Sequence, residues 1–216
     1  MHHRFTFILA LLLLPFIATA CSGNSSSSQA TATQIADSST TLHRQLPMPA
    51  QPTGTAFIIV SKRDKTLSVY DKNPAGDTVM VAQFPCCMGK NKGDKVKRGD
   101  MRTPESPTGK PFKITMIQDA STWEHDFHDG RGNILAYGHW FLRLATPGHK
   151  GIGIHGSTNN EHTVPGRASE GCIRLLDKDI ITLKEHFAYV GMPVTVQPEE
   201  QAPYSWELRA RQQNTK

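Results

Sequence analysis

Short runs of β-branched and alternating apolar residues, each closed by turn residues, recur from residue 57 to residue 196 of this 216-residue chain and restrict it to a sheet-based fold. Residues 57–61 and 66–71 are two such runs, and Lys62-Arg63-Asp64-Lys65 between them reads as the turn of a hairpin. Residues 79–85, 112–117, 140–145, 151–155 and 194–196 repeat the pattern. One stretch is helical in spacing: it runs from Asp177, the expected cap, through Ile180, Ile181, Leu183, Lys184, Phe187 and Val190, and Gly191 and Pro193 end it. The expected fold class is therefore mostly β, a compact sandwich with one or two short helices. Residues 119–138 are too polar and irregular for a core and read as a flap over a site.

The flanking segments read differently. Arg4 precedes an apolar run over residues 5–17, and the small residues Ala18, Thr19 and Ala20 stand before Cys21. That is the layout of a secretory signal over residues 1–20, removed in the mature protein. It is shorter than the roughly 20 apolar residues of a membrane span. Cys21 after three small residues resembles a bacterial lipoprotein cleavage site, where the thiol is lipid-modified and becomes the new N-terminus, although Ala18 stands where such sites usually have Leu. The alternative is an ordinary secreted protein whose signal ends near Ala20. Acyl chains on Cys21 would hold the protein to a membrane, each buried methylene contributing about 0.8 kcal/mol. Residues 21–53 are rich in Ser, Thr, Ala, Gln and Pro and read as a flexible tether. A coil of about 30 residues spans about 30 Å on average and about 100 Å when stretched, which would let a membrane-held domain work at a distance from its anchor. Residues 54–198, about 150 in all, are a normal size for one domain with a single core. The polar, charged segment 199–216 is expected as an exposed tail.

The formal charge of +5 mildly favours anionic partners such as wall carboxylates, but Lys and Arg are scattered except over residues 90–98. An ordinary solvated surface is expected, and no nucleic-acid partner. Four cysteines in a secreted chain raise the question of disulfides. With Cys21 lipidated and Cys172 free, only the neighbours Cys86 and Cys87 remain. Adjacent strand residues point to opposite faces, so these are expected to be packed thiols at a strand end.

Two runs carry chemistry: Gly-Ile-Gly-Ile-His-Gly-Ser (151–157) and Ala-Ser-Glu-Gly-Cys-Ile-Arg-Leu (168–175). In a strand over 151–155, Ile152 and Ile154 face the core, and Gly151, Gly153 and His155 share the other face as an open floor for an extended peptide. The alternative is that the glycines merely admit a neighbouring backbone and His155 is a hydrogen-bonded core histidine. The run also fits the Gly-x-Gly-x-x-Gly fingerprint, but residues 157–167 form a loop rather than the helix that fingerprint requires, so no nucleotide is expected. Cys172 lies in a polar setting beside Gly171, Ser169 and Arg174, and a reactive thiol needs a nearby cation or base. His155 can take the thiol proton and return it to a leaving amine, while the amides of Gly171 and Cys172 hold the oxyanion.

These residues resemble the active-site signature of the L,D-transpeptidase (YkuD-type) catalytic domain: His-Gly-Ser at 155–157, then Ser169, Gly171-Cys172-Ile173 and Arg174. Gly-Asp-Met-Arg-Thr-Pro-Glu (99–105) is similar to another stretch of that family, and Trp-Phe-Leu-Arg-Leu (140–144) to the strand leading to its histidine. The resemblance implies a mostly-β enzyme acting on peptidoglycan stem peptides, one as donor and one as acceptor, with no cofactor. It implies Cys172 as nucleophile and His155 as base, with Gly171 at the oxyanion and Ser169, Arg174, Gly156 and Ser157 around the pocket. Arg174 would pair with a substrate carboxylate. The cysteine would attack the carbonyl of the third stem residue, expel D-Ala and pass the acyl group to another stem.

One position departs from the family: Glu170 stands where a second histidine is usual. Close to Cys172 it would raise the thiol pKa, whereas a hydrogen bond to His155 would orient the imidazole. An orienting acid is the expectation. Several rivals share parts of this pattern. His125, His128, His155, His162 and Cys172 could gather around zinc, but His-x-x-His in a polar loop lacks the helical spacing of a metalloprotease motif, so no metal is expected. Papain-like wall endopeptidases place cysteine before histidine, the reverse of the order here. Hydrolysis of the same acyl-enzyme would make a carboxypeptidase or endopeptidase, and a non-catalytic wall-binding lipoprotein is a third reading. The expected address is the periplasmic side of the cell envelope, with a membrane contact through lipid at Cys21.

Overall fold

A computed structural model describes residues 48–213. The signal, Cys21 and nearly all of the expected tether lie outside the described residues. The hairpin read from the sequence is β1 (Phe57–Ser61) and β2 (Thr66–Lys72), with Ile59 opposite Ser68 and Val60 opposite Leu67. A third strand, β3 (Thr78–Pro85), continues it antiparallel. Then follow β4 (Cys87–Gly89), β5 (Phe112–Asp119), β6 (Glu124–Asp126), β7 (Asn133–Leu135) and β8 (Trp140–Leu144). Last come β9 (Gly153–His155), β10 (Gly166–Ser169), β11 (Ile173–Arg174), helix α1 (Asp177–His186), β12 (Pro193–Gln197) and helix α2 (Ser205–Gln212).

Ten strands form one ladder in the order β10-β4-β11-β9-β8-β5-β12-β1-β2-β3. The start of β5 pairs with β12 and the rest with β8, so this strand carries the ladder from one half to the other. Both halves share one core. Ile58, Val60, Leu67, Val69 and Phe84 from one half pack with Leu142, Ile154, Ile173 and Leu175 from the other, and α1 adds Ile180 and Leu183. The mostly-β expectation holds, with two α-helices.

Three local expectations are corrected. Asp177 is the first helical residue rather than the cap; Leu176 occupies that position and makes no side-chain bond. The Asp177 carboxylate is turned away from the helix and accepts the Ser157 N–H at 2.6 Å and the Thr158 hydroxyl. The strand expected from Gly151 begins at Gly153, because Gly151 has φ +78°, outside the extended region. The polar tail is α2, packed on β1 and β2: Trp206 meets Tyr70 edge-on at 5.1 Å and Phe57 at 5.8 Å, and Ala210 is buried. Its Glu207, fully buried, accepts from Gln197 Nε2 at 2.8 Å. A sequence whose apolar residues are few hid an amphipathic turn whose aromatic ring does the packing.

Cys86, between β3 and β4, and Cys87, the first residue of β4, are free, buried thiols, and burial pushes the Cys86 thiol far above its ordinary value. The polar segment read as a flap is in part a small hairpin, β6 paired with β7.

Candidate active site

The sixteen residues between His155 and Cys172 are spanned by a crossover that returns β11 parallel to β9. Ile173 lies beside Ile154 and Arg174 beside His155. Paired residues of neighbouring strands share a sheet face, so Arg174 and His155 project on the same side, and Cys172 stands in the turn that leads into β11. Cys172 and His155 accordingly line one cavity of about 240 Å³, together with Lys95, His125, Phe127, Tyr137, Ser169, Glu170 and Arg174.

His155 is 3% exposed, stacked on Phe141 at 5.7 Å and tilted against Tyr137 at 4.9 Å. Its Nδ1 lies 2.7 Å from the Gly156 carbonyl oxygen. A carbonyl only accepts, so Nδ1 carries the hydrogen and Nε2 of the neutral ring keeps its lone pair. Burial, reinforced by the positive charge of Arg174, pushes the imidazole down to about 3 against the opposing pull of the Gly156 bond. His155 is thus an unprotonated base at neutral pH. It is a buried, hydrogen-bonded histidine and a cavity-lining one at once.

The turn before β11 is stitched by Ser169, whose hydroxyl donates to the Cys172 carbonyl at 2.6 Å and accepts the Gly171 N–H at 3.1 Å. Gly171 has φ +138°, and a Cβ there would stand 2.8 Å from the Arg102 carbonyl oxygen. Only glycine meets both conditions. Burial raises the Cys172 thiol above its ordinary value; the Gly153 N–H, Arg174 and Lys95 pull it down, and Glu170 pushes it up. The thiol also donates to the Gly151 carbonyl at 3.4 Å. At rest the site therefore pairs a neutral thiol with a neutral imidazole.

Several expected roles move. Glu170 does not orient His155: its carboxylate lies 3.3 Å from His125 Nε2, and the Gly156 carbonyl holds the imidazole instead. The Gly171 amide, expected at the oxyanion, is taken by Ser169. Gly156 and Ser157 lie behind the cavity, where the Gly156 N–H donates to the Tyr137 carbonyl at 2.7 Å and Ser157 is fully buried against Asp177. Gly153 is not open floor, since a Cβ there would meet the Phe141 ring at 2.5 Å and the Leu142 carbonyl at 2.8 Å. Gly151 does line the cavity with open space beside it.

Arg174 is 2% exposed and bonds Thr163 Oγ1 at 2.8 Å, while its Nε finds no hydrogen-bond partner among the described residues. Its guanidinium sits 5.6 Å from the Phe127 ring centroid, as does that of Arg131. The segment joining β6 and β7 thus supplies Phe127 to the site wall, and β6 supplies His125. His128, by contrast, points to solvent beside Asp126. Among the described residues no three His, Cys, Asp or Glu side chains are grouped to hold a metal ion.

Sequence reasoning missed Lys95, Phe127 and Tyr137 as cavity residues. The aromatic residues in an otherwise polar flap were the available signal; Lys95 was hidden in a run of surface-like charge. The 99–105 stretch proves to be a staple. Asp100 accepts from Lys95 Nζ at 2.8 Å and from the amides of Val96, Lys97 and Arg102. Thr103 Oγ1 accepts the Gly89 N–H at 2.8 Å, and Glu105 pairs with the buried Lys62 at 2.8 Å.

A mostly-β domain whose parallel strands bring a histidine and a cysteine into one cavity defines a class of thiol-containing sites. Residues 55–196 match the family model of the L,D-transpeptidase catalytic domain (YkuD), and the chain belongs to that family. The fold is similar to that of Bd1075 from Bdellovibrio bacteriovorus, at 19% identity and a TM-score of 0.49 over 80% of this chain and 60% of that one. It is also similar to the helical cell shape determining protein Pgp2 from Campylobacter jejuni, at 20% identity and 0.47 over 72% and 52%. An L,D-transpeptidase from Mycobacterium smegmatis matches at 19% and 0.44 over 66% and 58%. The matched regions span only about half to three-fifths of those proteins. No curated protein sequence matches the chain.

Proposed function

We propose that the protein is a peptidoglycan L,D-transpeptidase that works through a thioester on Cys172. The observation that carries this reading is the fixed tautomer of His155, whose Nε2 is left as a proton acceptor in the cavity that holds the thiol. Cys172 Sγ attacks the carbonyl carbon of the third stem residue as its proton passes to His155 Nε2. The oxyanion that forms is met by the Cys172 amide, since Ser169 occupies that of Gly171. Collapse breaks the peptide bond, and His155 returns the proton to the departing D-Ala amine. An acceptor-stem amine then attacks the thioester, forms the new amide, and the thiol recovers its proton through the imidazole.

A second cavity of about 320 Å³ adjoins the first and shares Phe127, Ser169, Glu170 and Arg174 as its wall. Room on both sides of that wall favours two bound stems, hence transfer over hydrolysis. Arg174 lines both cavities, and its guanidinium suits a stem carboxylate. The reading includes an address: lipid on Cys21, a tether over residues 21–53, and a catalytic domain held at the periplasmic side of the envelope.

The test is incubation with purified tetrapeptide stems and chromatography of the products. Stem dimers with released D-Ala support transpeptidation. Tripeptide alone makes the protein a hydrolase with the same acyl-enzyme, and no product with any stem chemistry leaves a wall-binding role.

A further inference from the structure

The loop formed by residues 90–103 belongs to no strand, yet it puts one cation beneath the nucleophile's turn. Lys95 is 8% exposed, lines the cavity with Cys172, and donates to Asp100 Oδ1 at 2.8 Å and to the Arg102 carbonyl at 3.4 Å. The Arg102 carbonyl is the atom against which Gly171 closes, and Lys95 Nζ is 3.5 Å from where a Gly171 Cβ would be. The ammonium is therefore fixed at the back of the Gly171-Cys172 turn by a carboxylate that is itself held by three backbone N–H groups.

We propose that Lys95 is a positioning residue for acyl transfer: locked by Asp100, it holds the Arg102 carbonyl against Gly171 and supplies fixed positive charge to the Cys172 sulfur as it becomes a thiolate. The proposal rests on Cys172 being the nucleophile. A buried charge placed before reaction needs no reorganisation when negative charge develops, which is why a fixed ammonium serves better here than a mobile one. The other charged or titratable groups that line the cavity with the sulfur are Arg174 on β11, Glu170 in the same turn, His155 on β9, His125 and Tyr137 from the flap side, Arg98 in the same loop as Lys95, and Lys150 before β9. Arg174 and Lys95 favour the thiolate and Glu170 opposes it. Burial raises the Asp100 carboxyl, but the Lys95 bond and the three amides outweigh it and hold the group well below the usual carboxylate range, so Asp100 stays a carboxylate at neutral pH.

The test is the pH profile of iodoacetamide alkylation at Cys172 in the full chain, read by peptide mass spectrometry, for the wild type, Lys95→Gln and Lys95→Arg. Glutamine keeps a donor for Asp100 and the Arg102 carbonyl without the charge. The expected result is a profile moved to higher pH in Lys95→Gln, with alkylation about tenfold slower at neutral pH, as for a one-unit rise in thiol pKa. Lys95→Arg recovers most of the rate. An unmoved profile in a folded Lys95→Gln protein, or an equal shift in Lys95→Arg, overturns the proposal. Should Lys95→Gln not fold, Lys95→Met removes the same charge with an unbranched chain of similar length: the profile again moves to higher pH, and an unmoved profile overturns the proposal. Because alkylation needs no peptidoglycan, failure of the transpeptidase reading shows separately, as absence of stem products in the wild type.

Discussion

At one end of the ladder β1, β2 and β3 are five to eight residues long and pair along extended registers, whereas at the other β4, β9, β10 and β11 are two to four residues long. The long strands are held by buried aliphatic faces: Ile58, Val60, Leu67 and Val69 are fully buried. The short ones are held by side chains bonded to backbone, with Thr103 on Gly89, Ser169 on the Cys172 turn and Asp177 on Ser157. Apolar burial is roughly proportional to area and indifferent to direction, so the first region tolerates exchange among similar residues. Hydrogen bonds are directional, so the second region fixes atoms at the cost of tolerance. The proposed catalytic groups, Cys172 and His155, sit in the second region. Damage at the two ends should therefore separate activity from stability.

The largest activity loss is expected for His155→Asn, which removes the base: kcat/KM for stem peptides should fall by about 10²–10⁴. Activity within a few fold of wild type would remove His155 from the mechanism. The same variant has a stability signature. Burial holds His155 near 3 in the fold, against about 6.5 in the unfolded chain. Between these values the unfolded chain binds a proton that the native state refuses, so stability falls as pH is lowered through that window. Urea titrations should show a shallower fall for the variant.

Gly171→Ala should cost about 100-fold in activity, because a misplaced nucleophile loses its alignment, and about 1–3 kcal/mol in stability for a side chain at positive φ. Normal activity would mean that the turn can yield to the Arg102 carbonyl. Leu67→Ala is the opposite case. It should cost about 2–5 kcal/mol in denaturant titrations while the folded fraction keeps its kcat. A falling kcat would show that the two ends are coupled through the shared core. The smallest effect belongs to Glu170→Gln: removing a negative charge that raises the Cys172 thiol should speed alkylation at neutral pH by about threefold, the carboxylate being partly exposed and screened. Slower alkylation would reverse the sign assigned to it.

The same division explains what the sequence reveals. β1 appears at residues 57–61 as read, and β2, β3 and β12 within two residues of expectation, because period-two burial writes itself in residue type. The Cys172–His155 pair is legible because a thiol and an imidazole among glycines are chemically conspicuous. Their supports are not. Nothing in the residue types says that the Gly156 carbonyl rather than Glu170 would meet His155, that Asp177 would leave its helix for Ser157, or that Lys95 would be buried. These contacts join segments up to 77 positions apart, as between Lys95 and Cys172, and depend on where loops cross. Helix α2 was missed for a related reason: its burial rests on Trp206 and Ala210 beneath a run of charges.

Cys172 as the acylated nucleophile is tested most directly by the intact mass of the protein after brief incubation with tetrapeptide stems, beside Cys172→Ala. The expected result is an added mass equal to the stem acyl group without its terminal D-Ala, mapped to Cys172 and absent from the variant. An unmodified Cys172 while D-Ala is released, or release that persists in Cys172→Ala, would contradict it.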